Sequence, residues 1–107
     1  MSATFPKILL LVHKGEVHIS AHGYDELAAD DLTAREVLVG VGAAAVVEDY
    51  PAFHKGPCVL VRQQDGKAKP IHVVWGIPAG QSTPAVLVTA YRPDPARWSD
   101  DYLRRKS

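Results

Sequence analysis

Two stretches near the C-terminal end decide the fold, Pro70-Ile-His-Val-Val-Trp-Gly-Ile-Pro78 and Ala85-Val-Leu-Val-Thr-Ala-Tyr-Arg92. Each is rich in β-branched and aromatic residues and is bounded by Pro, Gly or Ser, as strands commonly are. The connection over residues 79–84 is too short for a helical crossover. The two strands are therefore predicted to pair antiparallel.

Alternation along these two strands assigns their side chains to two faces of a sheet. The predicted core face carries Ile71, Val73, Trp75, Ile77, Val86, Val88 and Ala90. The opposite face carries Leu87 and three groups capable of chemistry, His72, Thr89 and Tyr91. A connection of this length does not fix the register, so the sequence leaves open whether those three side chains cluster.

The length of the chain indicates one domain over residues 1–107, which is long enough to bury a core without disulfides. Its twelve basic and twelve acidic side chains cancel, which argues against a broad, non-specific grip on nucleic acid but leaves room for a local basic patch. The longest apolar run, Ile8 to Val12, is too short to span a membrane, and we expect a cytoplasmic protein. The single cysteine, Cys58, is predicted to be a buried thiol.

The rest of the chain predicts helices first and strands later. Residues 6–14, closed by Gly15, fit a helix, although their apolar run fits a buried strand equally well. The remaining predicted elements are a strand over 16–20, helices over 22–32 and from the capping box at 33–36 to Gly40 or Gly42, strands over 45–50 and 58–62, and a half-formed last helix capped by Ser99. This order predicts an α+β fold with N-terminal helices packed on one face of a four- to five-stranded antiparallel sheet.

The sequence contains none of the common motifs for metal or phosphate binding. A Gly-rich phosphate loop, a Cys-x-x-Cys pair and a His-Glu-x-x-His segment are all missing from it. His18 and His22 are four residues apart, which is metal spacing only on a helix, and the chain passes from strand to helix between them. We therefore expect neither a metal site nor a cofactor.

Two histidines are candidates for acid–base chemistry near neutral pH, where imidazole titrates. His22 lies where a strand passes into a helix, and it serves either a catalytic role or simply the helix start, bonded to the backbone. His72 lies inside a predicted strand, and its alternative is a half-buried ring paired to a neighbouring carbonyl. The sequence leaves both pairs of alternatives open.

Three further side chains are candidates for holding an anion. Tyr91 and Arg92 lie at a strand end, where a phenol and a guanidinium can hold a phosphate or carboxylate; the alternative is a packed tyrosine beside a surface arginine. Lys55 lies in a loop, and its plainer interpretation is a solvated side chain. Trp75 and Trp98 are predicted to pack in the core or at an edge rather than to stack on bases.

The chain also carries an ordered series of short motifs: His22-Gly-Tyr-Asp-Glu-Leu27, Ala45-Val-Val-Glu-Asp-Tyr-Pro51, Gly56-Pro-Cys-Val-Leu60, Pro70-Ile-His-Val-Val-Trp75 and Val88-Thr-Ala-Tyr-Arg-Pro93. This series resembles the DUF4258 family of small bacterial proteins, from about Val17 to Trp98. The resemblance implies a fold similar to the RelE-like toxins, small ribonucleases with helices on a four-stranded antiparallel sheet. It also implies an antitoxin protein and RNA as partners.

The first functional hypothesis is a metal-independent RNA endonuclease, the toxin of a toxin–antitoxin pair. The residues that the resemblance and the strand ends assign to it are His22, His72 and Tyr91 as catalytic groups and Arg92, Thr89 and Lys55 as substrate-binding groups. A ribose 2′-hydroxyl would attack its adjacent phosphate, with one histidine as base and the other, or Tyr91, as acid. Arg92, with Lys55, would stabilise the charge on the phosphate.

The second hypothesis is a non-catalytic binding module of unknown function that keeps the fold without the reaction. The net charge of zero favours it, as do Glu26 and Asp30, which stand where many members of the family carry basic residues. Its partner would be a protein docked on an open sheet edge or a small anion held by Arg92. The oligomeric state does not follow from the sequence.

Overall fold

The computed structural model describes residues 2–106, which form three α-helices and an open five-stranded sheet. The elements are α1 Thr4–His13, β1 Val17–Ile19, α2 Ala21–Ala29, α3 Ala34–Gly40, β2 Ala45–Tyr50, β3 Cys58–Gln64, β4 Pro70–Gly76 and β5 Ala85–Tyr91, with a 3₁₀ turn at Val41–Ala43 after α3. The strand order across the sheet is β1-β5-β4-β3-β2. The predicted α+β class and the antiparallel pairing of β4 with β5 are confirmed.

The sheet is only mostly antiparallel, which corrects the prediction of a wholly antiparallel one. Strands β2 to β5 pair antiparallel with their neighbours, but β1 pairs parallel with β5, with Val17 opposite Ala85 and Ile19 opposite Leu87. Most of the chain lies between these two strands, so no tight turn dictates their relative direction. Nothing in the alternation of β1 itself encodes that direction.

A bulge in β5 changes which side chains of that strand meet the core. Thr89 lies opposite Val74 and Leu87 lies opposite Trp75, so Val88 is an extra residue between two paired positions. Leu87 is consequently buried in the core, whereas Val88 is exposed on the opposite face. The sequence alternation had assigned these two residues the other way round, because a strict period of two cannot anticipate an inserted residue.

Helices α1 and α2 are each followed by a residue in the left-handed region of backbone conformation. After α1, Gly15 has φ +77°, and the N–H of Glu16 donates to the Leu11 carbonyl, as in a Schellman motif. After α2, Asp31 has φ +54°, and the N–H of Leu32 donates to the Leu27 carbonyl. The second helix therefore ends before Leu32, where the prediction had extended it.

The start of α3 matches the prediction. The Thr33 hydroxyl accepts from the N–H of Glu36, and the Glu36 carboxylate accepts from the N–H of Thr33, which completes the capping box. The predicted last helix is absent: from Trp98 to Arg105 the chain forms turns and a single bridge between those two residues. Ser99 bonds instead to the Asp101 carboxylate and caps no helix.

Buried side chains of all three helices join one hydrophobic cluster with alternate residues of the strands. Its members include Ile8, Leu11, Leu27, Leu32, Val37, Val41, Val59, Val61, Ile71, Val73, Trp75, Ile77 and Leu87. Trp75 is 0% exposed, which confirms that it packs in the core. No helix within residues 2–106 has the length and apolar character needed to cross a membrane.

Candidate functional site

His72 lies in a buried polar cluster on the face of the sheet opposite the hydrophobic core. The register sets it beside Tyr91 of β5 and Arg62 of β3, which share its face. Its Nδ1 lies 3.3 Å from the hydroxyl oxygen of Tyr91, and its Nε2 lies 2.8 Å from the carbonyl oxygen of Tyr102. The sheet therefore brings the two candidates His72 and Tyr91 into contact.

The hydrogen bonds assign the tautomer of His72. A carbonyl oxygen only accepts, so Nε2 carries the proton that is donated to Tyr102, and Nδ1 then accepts from the Tyr91 hydroxyl. Burial lowers the pKa of His72, as do the charges of Arg105 and Arg62, and the bond to Tyr102 only partly opposes them. Burial likewise raises the pKa of Tyr91. The pair is therefore neutral near pH 7.

The C-terminal segment, residues 94–106, covers this cluster. The ring of Trp98 packs edge-on against His72, with 4.4 Å between the ring centroids, and the Arg105 guanidinium lies 4.7 Å from the Trp98 centroid. Arg105 also forms an ion pair of 2.7 Å with Glu48 of β2. His72 is 0% exposed, so its ring is closed to solvent and to any substrate while the segment stays in place.

Arg92 is engaged by acidic groups of its own chain. Its Nη1 lies 2.8 Å from the Asp65 carboxylate, and its backbone N–H donates to the Asp30 carboxylate. Backbone N–H groups of Lys69 and Lys67, together with the Arg92 guanidinium, hold the pKa of Asp65 at about 2. This network ties the end of β5 to α2 and to the β3–β4 turn.

Of the three other candidates, only Thr89 shares a face of the sheet with His72. Thr89 lies on the face of His72, two residues from Tyr91 along β5. His22 lies in the first turn of α2 with 65% of its side chain exposed, and its Nε2 is 3.5 Å from the Glu26 carboxylate. Lys55 lies in the β2–β3 loop, on the rim of a separate cavity. Of the six predicted residues, the sheet thus groups three.

That cavity, of about 380 Å³, opens on the same face of the sheet as His72. It is lined by Ser20, Phe53, Lys55, Gly56, Cys58, Val74, Gly76, Ile77, Pro78, Val86 and Val88. Lys55 is the only charged side chain among these lining residues. Sequence reasoning missed the cavity because Val86 and Val88 were assigned to the core; the available signal was Phe53, an aromatic residue in a loop, two residues from Lys55.

The donor set for a metal is sparse. Within residues 2–106, no group of three or more histidine, cysteine, aspartate or glutamate side chains is placed to hold a metal ion. Cys58, predicted to be buried, is half-buried at the cavity, and partial burial raises the pKa of its thiol.

Comparison with known families gives one match. A family model described as "Domain of unknown function (DUF4258)" matches residues 19–92. The chain belongs to this family. The matched range includes His22, His72, Tyr91 and Arg92 but stops before the segment that covers His72. No curated protein and no solved structure matches the chain.

Proposed function

We propose that this DUF4258 domain is a non-catalytic binding module, in which His72 and Tyr91 serve the fold and the open cavity receives a partner. The observation that carries the proposal is the burial of His72. A ring with both nitrogens hydrogen-bonded and 0% of its surface exposed is not available to exchange protons with a substrate. Arg92 supports the same conclusion, because its charge is already offset by Asp65.

Incubation of the full chain with single-stranded RNA tests this proposal. We expect the RNA to stay intact between about pH 5 and 9, since imidazole titrates within that span. Expression of the chain is likewise expected to leave bacterial growth unchanged. RNA cleavage that is lost in a folded His72→Ala variant would contradict the proposal.

A second candidate function, a RelE-like metal-independent RNA endonuclease, is favoured by the contact between His72 and Tyr91. Their side of the sheet also bears Arg62, and Arg105 lies close enough for its charge to lower the pKa of His72. A RelE-like arrangement, with the helices on one face of the sheet and this group on the other, suits such a reaction. It requires the C-terminal segment to move off His72.

In that second function, Nδ1 of His72 would take the proton of a ribose 2′-hydroxyl as its oxygen bonds to the adjacent phosphorus. The bond from phosphorus to the 5′-oxygen would break, and Tyr91 would donate its proton to that oxygen. The products would be a 2′,3′-cyclic phosphate and a 5′-hydroxyl, with Arg62 offsetting the phosphate charge.

A variant that loosens the C-terminal segment over His72 distinguishes between the two proposed functions. If the second function is present, the Trp98→Ala variant should cleave RNA. Adding His72→Ala to it should reduce the cleavage rate by roughly 10²–10⁴-fold, the rate enhancement that general acid–base catalysis typically provides. If the domain is a binding module, both variants should leave RNA intact.

A further inference from the structure

The uncovered part of the sheet face is continuous with the part that the C-terminal segment covers. On β4, His72 lies under Trp98, and Val74, two residues further along, lines the cavity. Phe53 and Val88, which also line it, are 47% and 37% exposed. The covered half shows how this face is closed: an aromatic side chain packs on the strands, and Arg105 forms an ion pair with Glu48 at the rim.

From this geometry we propose that the open patch, defined as Phe53, Lys55, Cys58, Val74 and Val88, is the docking site for a peptide segment of a partner protein. The segment carries a large apolar side chain that fills the cavity and a neighbouring carboxylate that pairs with Lys55. This inference rests on the proposed function and names the surface and the chemistry of its partner.

The size and lining of the cavity fit such an anchor. Its volume of about 380 Å³ lies in the range of roughly 300–1,000 Å³ typical of ligand pockets. Exposed apolar surface rimmed by polar groups marks interaction sites, and binding is usually dominated by a few anchors seated in pockets.

Charge complementarity supplies the second half of the recognition. Lys55 is exposed, and within residues 2–106 no carboxylate lies at ion-pair distance from it. Its ammonium group therefore stands beside an apolar cavity without a counter-ion among the described residues. A carboxylate next to the apolar anchor gives the partner an apolar group with a charge beside it, as Trp98 and Arg105 give the covered half, with the signs of the ion pair reversed.

Random peptides displayed on phage are selected for binding to the full chain. The enriched peptides are then synthesised, and their binding to the chain is measured. We expect an enriched motif with an aromatic or large aliphatic residue close to Asp or Glu. Phe53→Ala and Lys55→Glu should each weaken binding at least about tenfold, as loss of an anchor or a charge partner does. Leu10→Ala and Lys67→Glu, the same kinds of change at exposed positions elsewhere, should leave it unchanged.

Cys58 reports the location of the peptide directly, because it is the only cysteine and it lines the cavity. Bound peptide should slow alkylation of Cys58 by a maleimide at pH 8. Three results would overturn the proposal: no enriched peptide, binding that ignores Phe53 and Lys55, or self-association of the chain that Phe53→Ala abolishes, which would make a second copy the occupant. RNA cleavage by the wild-type chain would refute the proposed function, but the peptide measurements would still decide the docking site.

Discussion

His72 couples the stability of the fold to pH. Its pKa is lowered by burial in the folded state, whereas the unfolded chain takes up a proton near pH 6.5. The contribution of the neutral His72 ring to stability is fully present above about pH 6.5, and it is lost as pH falls from there towards the folded-state pKa. We expect the free energy of unfolding, from urea titrations at pH 7.5 and 5.5, to drop by no more than about 1.4 kcal/mol per pH unit from this residue.

The matched variant for this effect is His72→Gln, whose amide can still donate to the Tyr102 carbonyl. The variant should be less stable overall but should show a flatter dependence on pH over the same span. An equal pH dependence in the two proteins would show that His72 is not the group responsible.

Asp65 also makes stability depend on pH, but through its charged form and at lower pH. Its pKa of about 2 in the folded state lies below the ordinary value of 3.8, so its contribution is present above about pH 4 and is lost as pH falls towards 2. Asp65→Asn should lower the free energy of unfolding at pH 7 by about 1–3 kcal/mol, because it breaks the ion pair between the buried Asp65 carboxylate and the partly exposed Arg92. Asp94→Asn, at an exposed pair with Arg97, is the control and should change little.

At the residue scale, the structural alternative for His72 was a half-buried ring paired to a neighbouring carbonyl; the ring does bond to a carbonyl, but it is 0% exposed. That the carbonyl belongs to Tyr102 could not be predicted from the sequence, since the two residues are 30 apart along the chain. The acidic partners of Arg92, Asp30 and Asp65, were hidden for the same reason, since only the folded chain brings them together.

Among the elements, α3 offers the sharpest test because its capping box is complete. Thr33→Ala removes the side chain that accepts from the N–H of Glu36 and should cost about 1 kcal/mol of stability. The measurement is the midpoint of urea unfolding. Ser82→Ala, at an exposed loop position, should leave the midpoint unchanged, and a loss at Thr33 no larger than at Ser82 would contradict the role of the cap.

Local signals predicted the elements well where they are self-contained. The capping box of α3, the glycine after α1 and the span of β2 are all encoded by neighbouring residues. The parallel partner of β1 and the bulge at Val88 are not, because both depend on strands that are distant in the sequence. The bulge also places Val88 on the outer face of the sheet. Because alternation had assigned Val88 to the core, the cavity that it lines was not predicted.

For the whole molecule, Trp98 links the C-terminal segment to the sheet. Trp98 is 5% exposed, and Trp98→Ala should cost about 3–5 kcal/mol in the free energy of unfolding, as for other packed aromatic residues. Phe53→Ala, the loss of an exposed aromatic ring on the same face, should change stability by no more than about 0.5 kcal/mol. Equal losses in the two variants would mean that the segment is not held by Trp98.

The division of the sheet face into a covered and an open half could not be predicted from the sequence. The sequence predicted a half-formed helix capped by Ser99 in this segment, whereas Arg105 lies on Trp98 and pairs with Glu48. A net charge of zero argues against a broad cationic surface, and this stays a prediction. It gave no indication of where the remaining exposed apolar surface would collect.

The closure of His72 from solvent in the native chain is tested most directly by nuclear magnetic resonance of its ring nitrogens during a pH titration. We predict a neutral ring with its proton on Nε2 and a pKa clearly below 6.5. In Trp98→Ala the pKa should move back towards 6.5, since burial is the main cause of the shift. A wild-type ring that titrates at or above 6.5, or carries its proton on Nδ1, would contradict the account.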